Sequence, residues 1–265
     1  MKAIILAAGK GTRLDKYTAN MPKCMLSFAG KTLLQRQIEC LKSCGLKDII
    51  VVKGYMQDKI NYPGVKYYYN KDFSNTNMVA SLMCAREEFN DDILVCYADI
   101  LYEKRLIKDL IKAKADFNVL CDVKWKDYWQ ERYGRIDFDY ESFAYDESKS
   151  ITSIGDSNVD IKSICARYIG LLKFSKNGII EIEKFLEEER QKYGLDMWRN
   201  ISRTIDKAYM TDLLNFLIND GKDVKAVEVN GGWIEFDTNE DYEKACEWTK
   251  NKKIYNFIKL DNVED

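Results

Sequence analysis

Gly9-Lys10-Gly11-Thr12-Arg13-Leu14 follows directly on the apolar run Ala3 to Ala8. Its backbone N–H groups can point at an anion while Lys10 and Arg13 pair with phosphate oxygens. Two known phosphate signatures do not fit: Leu14 stands where the dinucleotide pattern G-x-G-x-x-G needs its third glycine, and no G-x-x-x-x-G-K-[ST] occurs. By themselves the glycines suit an ordinary strand-to-helix turn with solvated charges better than a phosphate loop. Pro22-Lys23 shifts that balance, because a proline-stiffened segment delivers a third cation near the same strand end. Two carboxylates also follow apolar runs. Asp99 comes after Ile93 to Tyr97, and Asp237 closes Trp233-Ile234-Glu235-Phe236, where Glu235 alternates with it along an expected strand. A lone aspartate at a strand end is more often a cap or an ion-pair partner. The chain has no histidine, which excludes Ser-His-Asp and Cys-His machinery and histidine zinc sites. Any chemistry must then rest on carboxylates, lysines, arginines, backbone amides or a hard metal ion.

These residues need a scaffold, and the first half of the chain supplies alternating strand and helix signals. Ala3 to Ala7 is a short apolar strand, Thr32 to Cys44 puts Leu33, Leu34, Gln37, Ile38 and Leu41 at helical spacing, and Asp48 to Val52 is a second strand. Val65 to Tyr69 and Ile93 to Tyr97 read as strands around a helix at Met78 to Phe89; a helix at Leu101 to Ala115 and a strand at Asn118 to Val123 follow. The second half is less regular. Ile136 to Ile154 alternates like strands, Arg167 to Phe174 and Val224 to Val229 are apolar strands, and helices are expected at Gly178 to Lys192, Met210 to Asn219 and Asp241 to Lys250. Such alternation predicts an α/β fold, a mostly parallel sheet covered by helices on both faces, with ligands beyond the carboxyl ends of its strands. Residues 259–265 are expected to fray.

At 265 residues the chain suits one large domain. Lys plus Arg (41) nearly balance Asp plus Glu (43), so no basic field for nucleic acid exists and an anionic ligand must be held by a local site. No apolar stretch approaches the roughly 20 residues that span a bilayer. A cytoplasmic protein is the expectation, with the eight scattered cysteines as buried free thiols.

The run Ala3-Ile-Ile-Leu-Ala-Ala-Gly-x-Gly-Thr-Arg-Leu, with Pro22-Lys23 after it and Gly30-Lys31-Thr32-Leu33-Leu34 opening the first helix, resembles the sugar-phosphate nucleotidyltransferase superfamily. The resemblance implies a Rossmann-like three-layer sandwich with a mostly parallel mixed sheet. It also implies one domain over residues 1–255, with a nucleotide-binding half to about 120, an acceptor-binding half beyond it, and a tail at 256–265. Leu6, Ala7, Ala8 and Gly9 would line base and ribose; Gly11, Thr12 and Arg13 would grip the β- and γ-phosphates; Lys23 would contact the α-phosphate. Asn70, Asn77 and Ser81 fall in the stretch expected to choose the base. Asp99 and Asp237 match the superfamily's magnesium carboxylates, and magnesium needs only a couple of carboxylates besides phosphate oxygens and water. The residues Ala98-Asp99-Ile100 lack the Asp-x-Asp usual in nucleotide-sugar-dependent glycosyltransferases, which favours making a nucleotide conjugate over consuming one.

The acceptor side departs from the sugar-1-phosphate members, whose Glu-Lys-Pro segment is missing from 151–160. Ser74 to Leu82, Tyr97 to Tyr102 and Gly232 to Asp237 are instead similar to the cytidylyltransferases that use CTP to activate small phosphorylated amines, amino acids and phosphonates, such as phosphocholine, 2-aminoethylphosphonate and phosphoglutamine. Asp122, Trp125, Trp129 and Arg132 are then a candidate acceptor wall, with aromatic faces for an ammonium and Arg132 or Lys124 for the phosphate. The same aromatics would serve equally to cover the sheet or to make a dimer contact, and a homodimer is the one macromolecular partner admitted; neither nucleic acid nor membrane is expected. Glu235 is a weaker acceptor candidate, and Arg167 and Asp212 fit structural roles better. A sugar-1-phosphate nucleotidyltransferase using UTP, dTTP or GTP, and a non-catalytic nucleotide-binding regulatory protein, are the competing readings.

Overall fold

A computed structural model describes residues 1–260. Seven strands form the central sheet: β1 (Lys2–Ala7), β2 (Ile49–Lys53), β3 (Lys66–Tyr69), β4 (Ile93–Tyr97), β5 (Phe117–Asp122), β6 (Arg167–Phe174) and β7 (Val224–Val229). Their spatial order is 3-2-1-4-6-5-7. Every neighbouring pair is parallel except those of β6, which runs antiparallel to both β4 and β5.

The near-continuous apolar runs arise because both faces of the sheet are covered. Along β1, Ala3, Ile5 and Ala7 face one core while Ile4 and Leu6 face the other. The first core takes the apolar stripe of Leu33–Ser43, that of Lys104–Lys112, and Ala245 and Trp248 of Asn239–Lys250. The second takes Met78–Met83, Lys176–Tyr193 and Met210–Asn219. The result is the mostly parallel α/β sandwich that the alternation of elements predicts, in the Rossmann-like form that the resemblance implies. Among the described residues, no helix is long and apolar enough to cross a membrane.

Four local expectations need correction. Residues 101–103, expected to open the helix to Ala115, are not helical: Ile100–Tyr102 pairs antiparallel with Trp233–Glu235, which buries Leu101 and Ile234 together, and the helix spans only Lys104–Lys112. The helix from Met78 ends at Met83, with a separate single turn at Arg86–Glu88. Of 136–154, Phe143–Tyr145 and Ile151–Ile154 pair with each other and Ser150 makes a single bridge to Lys225, which leaves the residues before Phe143 as a loop. Ile258 is fully buried and the Lys259 N–H donates to Glu103 at 2.9 Å, so the chain is still held to the body at 258–259; 261–265 lie outside the described residues. The described cysteines are all free, but only Cys24, Cys96 and Cys121 are buried and Cys165 is exposed.

Candidate active site

The glycine loop sits at the carboxyl end of β1 and is shaped by three anchors. Gly11 has a φ of 71° and a Cβ on it would stand 2.9 Å from the Cβ of Lys23, so both the left-handed turn and the close approach demand glycine. Leu14, which breaks the dinucleotide pattern, is fully buried and pins the loop to the core. The Thr18 hydroxyl donates to the carbonyls of Gly11 at 3.1 Å and Leu14 at 2.8 Å. Pro22 enters a single turn at Lys23–Met25 whose Cys24 is buried, its thiol pushed up to about 12 by burial. With Cys24 held inward, the Lys23 side chain is presented to the cleft.

Asp99 and Asp237 are half a chain apart in sequence and adjacent in space. The ribbon of Ile100–Tyr102 with Trp233–Glu235 does this, because Asp99 precedes one strand and Asp237 follows the other. The Phe236 N–H donates to the Asp99 carbonyl at 2.9 Å and closes the end of the ribbon. Asp237 thus lies past the strand end rather than alternating with Glu235 inside it. Buried Gln37 braces the Asp99 turn from below, its amide donating to the carbonyls of Tyr97 at 3.0 Å and Ile100 at 2.6 Å.

Between the carboxylates stands one cation. Lys23 Nζ is 2.7 Å from Asp99 Oδ2 and 2.7 Å from Asp237 Oδ1, and Arg13 reaches Asp237 Oδ2 at 2.7 Å. Burial alone would raise the Asp237 carboxyl, but Lys23 and Arg13 outweigh it and hold its pKa below the ordinary value. Burial likewise opposes the charge on Lys23, and the two aspartates reverse that, leaving its pKa raised. Glu235 is lifted to about 7 by burial, against the pull of Arg132 and with the help of Asp237 and Asp99. Carboxylate oxygens of Asp99, Glu235 and Asp237 come within 4.8 Å of one another. Asp99 Oδ1 is buried without a hydrogen-bond partner. An all-oxygen cluster with an unsatisfied donor atom is a set that a hard divalent cation fits.

A cleft of about 260 Å³ opens here, lined by Leu6, Ala7, Ala8, Gly9, Gly11, Thr12, Arg13, Lys23, Asn77, Ser81, Asp99 and Asp237. Cys24, Phe73, Thr76, Met78, Tyr97 and Ala98 complete it; Phe73 lies outside every quoted motif, and Thr76, Met78 and Tyr97 fall within the stretches similar to the cytidylyltransferases without a role of their own expected there. Asn70 does not line it. It is buried behind the wall, donating to Thr76 Oγ1 at 2.9 Å and Ser81 Oγ at 3.0 Å, and so holds two lining residues.

The expected acceptor wall is not one. Trp125 and Trp129 are fully buried in an aromatic cluster with Tyr128, Tyr133 and Trp233, where they pack against other rings and Trp129 also takes the guanidinium groups of Arg132 and Arg167 over its face. Asp122 is buried as well, accepting from Gly231 N–H and Trp233 Nε1, each at 2.9 Å. Arg132 is buried and satisfied within the fold. It donates to Asp241 at 2.7 and 2.6 Å and pairs with Glu235. Asp241 in turn accepts the N–H groups of Asp237 and Thr238, each at 2.9 Å. Arg132 therefore positions the Asp237 turn rather than facing the cleft. Glu235, Arg167 and Asp212 do face open space, in a second cavity next to the first.

Comparison with known proteins gives the chain a family. Residues 3–135 match the MobA-like NTP transferase domain. A CTP:phosphoglutamine cytidylyltransferase of Campylobacter jejuni is 33% identical over 258 residues, covering 93% of this chain and all of that protein. A choline-phosphate cytidylyltransferase of Streptococcus pneumoniae is 36% identical over 43% of this chain and 51% of its own length. The solved structure of a CTP:phosphocholine cytidylyltransferase from the same species superposes with a TM-score of 0.70 at 24% identity, over 93% of this chain and 97% of that one, a likeness of fold. The chain thus belongs to the MobA-like NTP transferase domain family and is a nucleotidyltransferase.

Proposed function

We propose that this chain is a cytoplasmic, magnesium-dependent cytidylyltransferase. It joins CMP from CTP to a small phosphorylated or phosphonate acceptor bearing an amine or amino-acid group, and releases pyrophosphate. One observation carries the reading: Lys23 stands between Asp99 and Asp237 where the glycine-loop cleft adjoins a second cavity. A triphosphate in the first and an acceptor in the second would meet there. CTP is chosen over other triphosphates because the relatives above are cytidylyltransferases.

In this reading the backbone of Leu6 to Gly9, with Asn77 and Ser81, holds base and ribose. Gly11, Thr12 and Arg13 hold the β- and γ-phosphates, and Lys23 turns from the aspartates to the α-phosphate. Asp99 and Asp237, with Glu235 beside them, would hold magnesium, which when bound neutralises charge on the phosphate oxygens. The acceptor phosphate has a second pKa of roughly 6 and is largely dianionic at neutral pH. It needs no general base, in keeping with a chain without histidine. An acceptor oxygen forms a bond to the α-phosphorus as the bond to the α–β bridging oxygen breaks, and that electron pair leaves on pyrophosphate. Lys23 and Arg13 stabilise the charge gathered on phosphorus-bound oxygens at the transition state.

A pyrophosphate-release assay tests this by crossing CTP, UTP, dTTP and GTP with phosphoglutamine, phosphocholine, 2-aminoethylphosphonate and glucose-1-phosphate, with and without a chelator. Turnover is expected with CTP and an amine- or amino-acid-bearing acceptor, and lost on chelation. Turnover with the sugar phosphate alone would sink the acceptor assignment, and none with any pair would leave a binding protein. Asp99→Asn should abolish activity without unfolding the chain.

A further inference from the structure

The second cavity, about 400 Å³, shares Arg13, Met78, Tyr97 and Asp237 with the glycine-loop cleft. The side of it away from the loop carries uncommitted groups of both charge signs. Glu141 lines it from the loop before Phe143–Tyr145, and its carboxylate makes no hydrogen bond or ion pair among the described residues. Burial raises its pKa, with Arg167 only partly offsetting this, so the carboxylate stands to gain from a cation. Arg203 lines the same cavity. Asp212 grips it through Nη1 alone, at 2.7 and 2.6 Å, and Tyr209 supports its guanidinium face at 4.4 Å. Its Nε and Nη2 have no partner among the described residues. Arg167 stacks on Trp129 at 4.5 Å and donates from Nη1 to the Asp139 carbonyl at 3.0 Å, while its buried Nε is unpaired.

Two pre-oriented guanidinium groups with free nitrogens and the unpaired Glu141 carboxylate, beside the exposed Asp139 that makes no ion pair among the described residues, ask for a ligand that brings both an anion and a cation. A quaternary ammonium without a carboxylate would leave the free nitrogens of both arginines without an anion. A sugar phosphate would leave Glu141 facing neutral hydroxyls. An aminoalkyl phosphonate would satisfy Glu141 and leave both arginines empty. An α-amino acid head group satisfies all three.

We propose that this cavity selects a phosphorylated α-amino acid as the acceptor, Arg203 with Arg167 pairing with its α-carboxylate and Glu141 with its ammonium. This rests on the reading of the chain as a cytidylyltransferase whose acceptor lies beside the glycine-loop cleft. Asp212 is a positioning residue, holding Arg203 by one nitrogen and accepting the Tyr209 N–H at 2.8 Å to cap the helix that follows.

The test compares phosphoglutamine, its decarboxylated counterpart and phosphocholine as acceptors for the full-length enzyme with CTP, reading kcat and KM from pyrophosphate release. Phosphoglutamine is expected to have the highest kcat/KM by at least tenfold. Arg203→Gln should raise its KM by about 10- to 100-fold, the span of one or two charge-assisted hydrogen bonds, with the KM for CTP moving less than twofold. The penalty should be at least tenfold smaller for the decarboxylated acceptor. Glu141→Gln, a near-isosteric change that keeps the loop packed, should instead weaken both ammonium-bearing acceptors by tenfold or more. Equal penalties of Arg203→Gln on the two acceptors, or a wild-type enzyme indifferent to the carboxylate, would overturn the assignment. Turnover of phosphocholine alone would overturn it and leave the cytidylyltransferase reading standing, whereas no turnover of CTP with any acceptor removes both.

Discussion

Lys23 and Asp99 form a half-buried ion pair at 2.7 Å, and the same ammonium bridges to Asp237 at 2.7 Å. The ammonium therefore holds the ground that a divalent cation would take. Removing it leaves Asp99 without a cation and Asp237 with Arg13 alone, and a carboxylate pair attracts a divalent ion more strongly when no ammonium competes. Lys23→Ala should bind Mn²⁺ more tightly than the wild type in the absence of nucleotide, and lose about 10²- to 10³-fold in kcat, as expected for one transition-state cation. Manganese titration and steady-state rates measure the two effects. Weaker metal binding by the variant would show that Lys23 organises the carboxylates instead of competing for them.

Arg132 stabilises the site without touching the cleft. Its removal as Arg132→Met would strand the buried Asp241 carboxylate, a change that typically costs about 3–5 kcal/mol, and would loosen the Asp237–Thr238 turn that Asp241 holds. A large drop in denaturation midpoint is expected. Combined with Asp241→Asn, the loss should be smaller than the sum of the single changes, which a double-mutant cycle on chemical denaturation would measure.

Glu88 ties three segments together, accepting from Lys2 Nζ at 2.6 Å, from Tyr68 OH at 2.7 Å and from Lys66. Burial pushes its carboxyl up, but Lys2, Lys66 and Tyr68 prevail and hold it at about 2, against an ordinary 4.5. A carboxyl lowered in the folded state contributes fully above its unfolded pKa, and that contribution drains away as pH falls through the window between 4.5 and about 2. Glu88→Gln should flatten stability over that window and cost about 2 kcal/mol at neutral pH, the scale of a charged hydrogen bond. Thermal melts between pH 2 and 7 would read both; an unchanged acid slope would assign it to other carboxylates.

Gly170 has a φ of 77° where the pairing of β5 with β6 slips register, and a Cβ there would meet the Tyr97 ring at 2.6 Å. Gly170→Ala combines a left-handed alanine with that clash. It should destabilise the fold by about 1–3 kcal/mol, the usual cost of backbone strain. Because Tyr97 lines both cavities, KM should rise for CTP and acceptor alike. A variant with wild-type melting and KM values would show that Tyr97 yields freely.

What could be read from residues alone was local. The apolar runs of β1, β2, β4 and β6 announce buried strands, because a sheet covered on both faces leaves no polar alternation, and the helical stripe from Leu33 to Leu41 is equally plain. The glycine loop, Lys23, Asp99 and Asp237 also stood out, since each follows or closely trails a strand end. Tertiary structure alone decided the rest. Whether Trp125 and Trp129 face a ligand or each other depends on what packs against their helix, and periodicity carries no partner. Arg132 looked like an acceptor contact because a charged residue among aromatics has that appearance in sequence; only the fold brings Asp241 and Glu235 to neutralise it. Glu141 and Arg203 gave no signal, being single charges on irregular segments. Their meeting in one cavity follows from long-range packing of chain segments that share no local pattern.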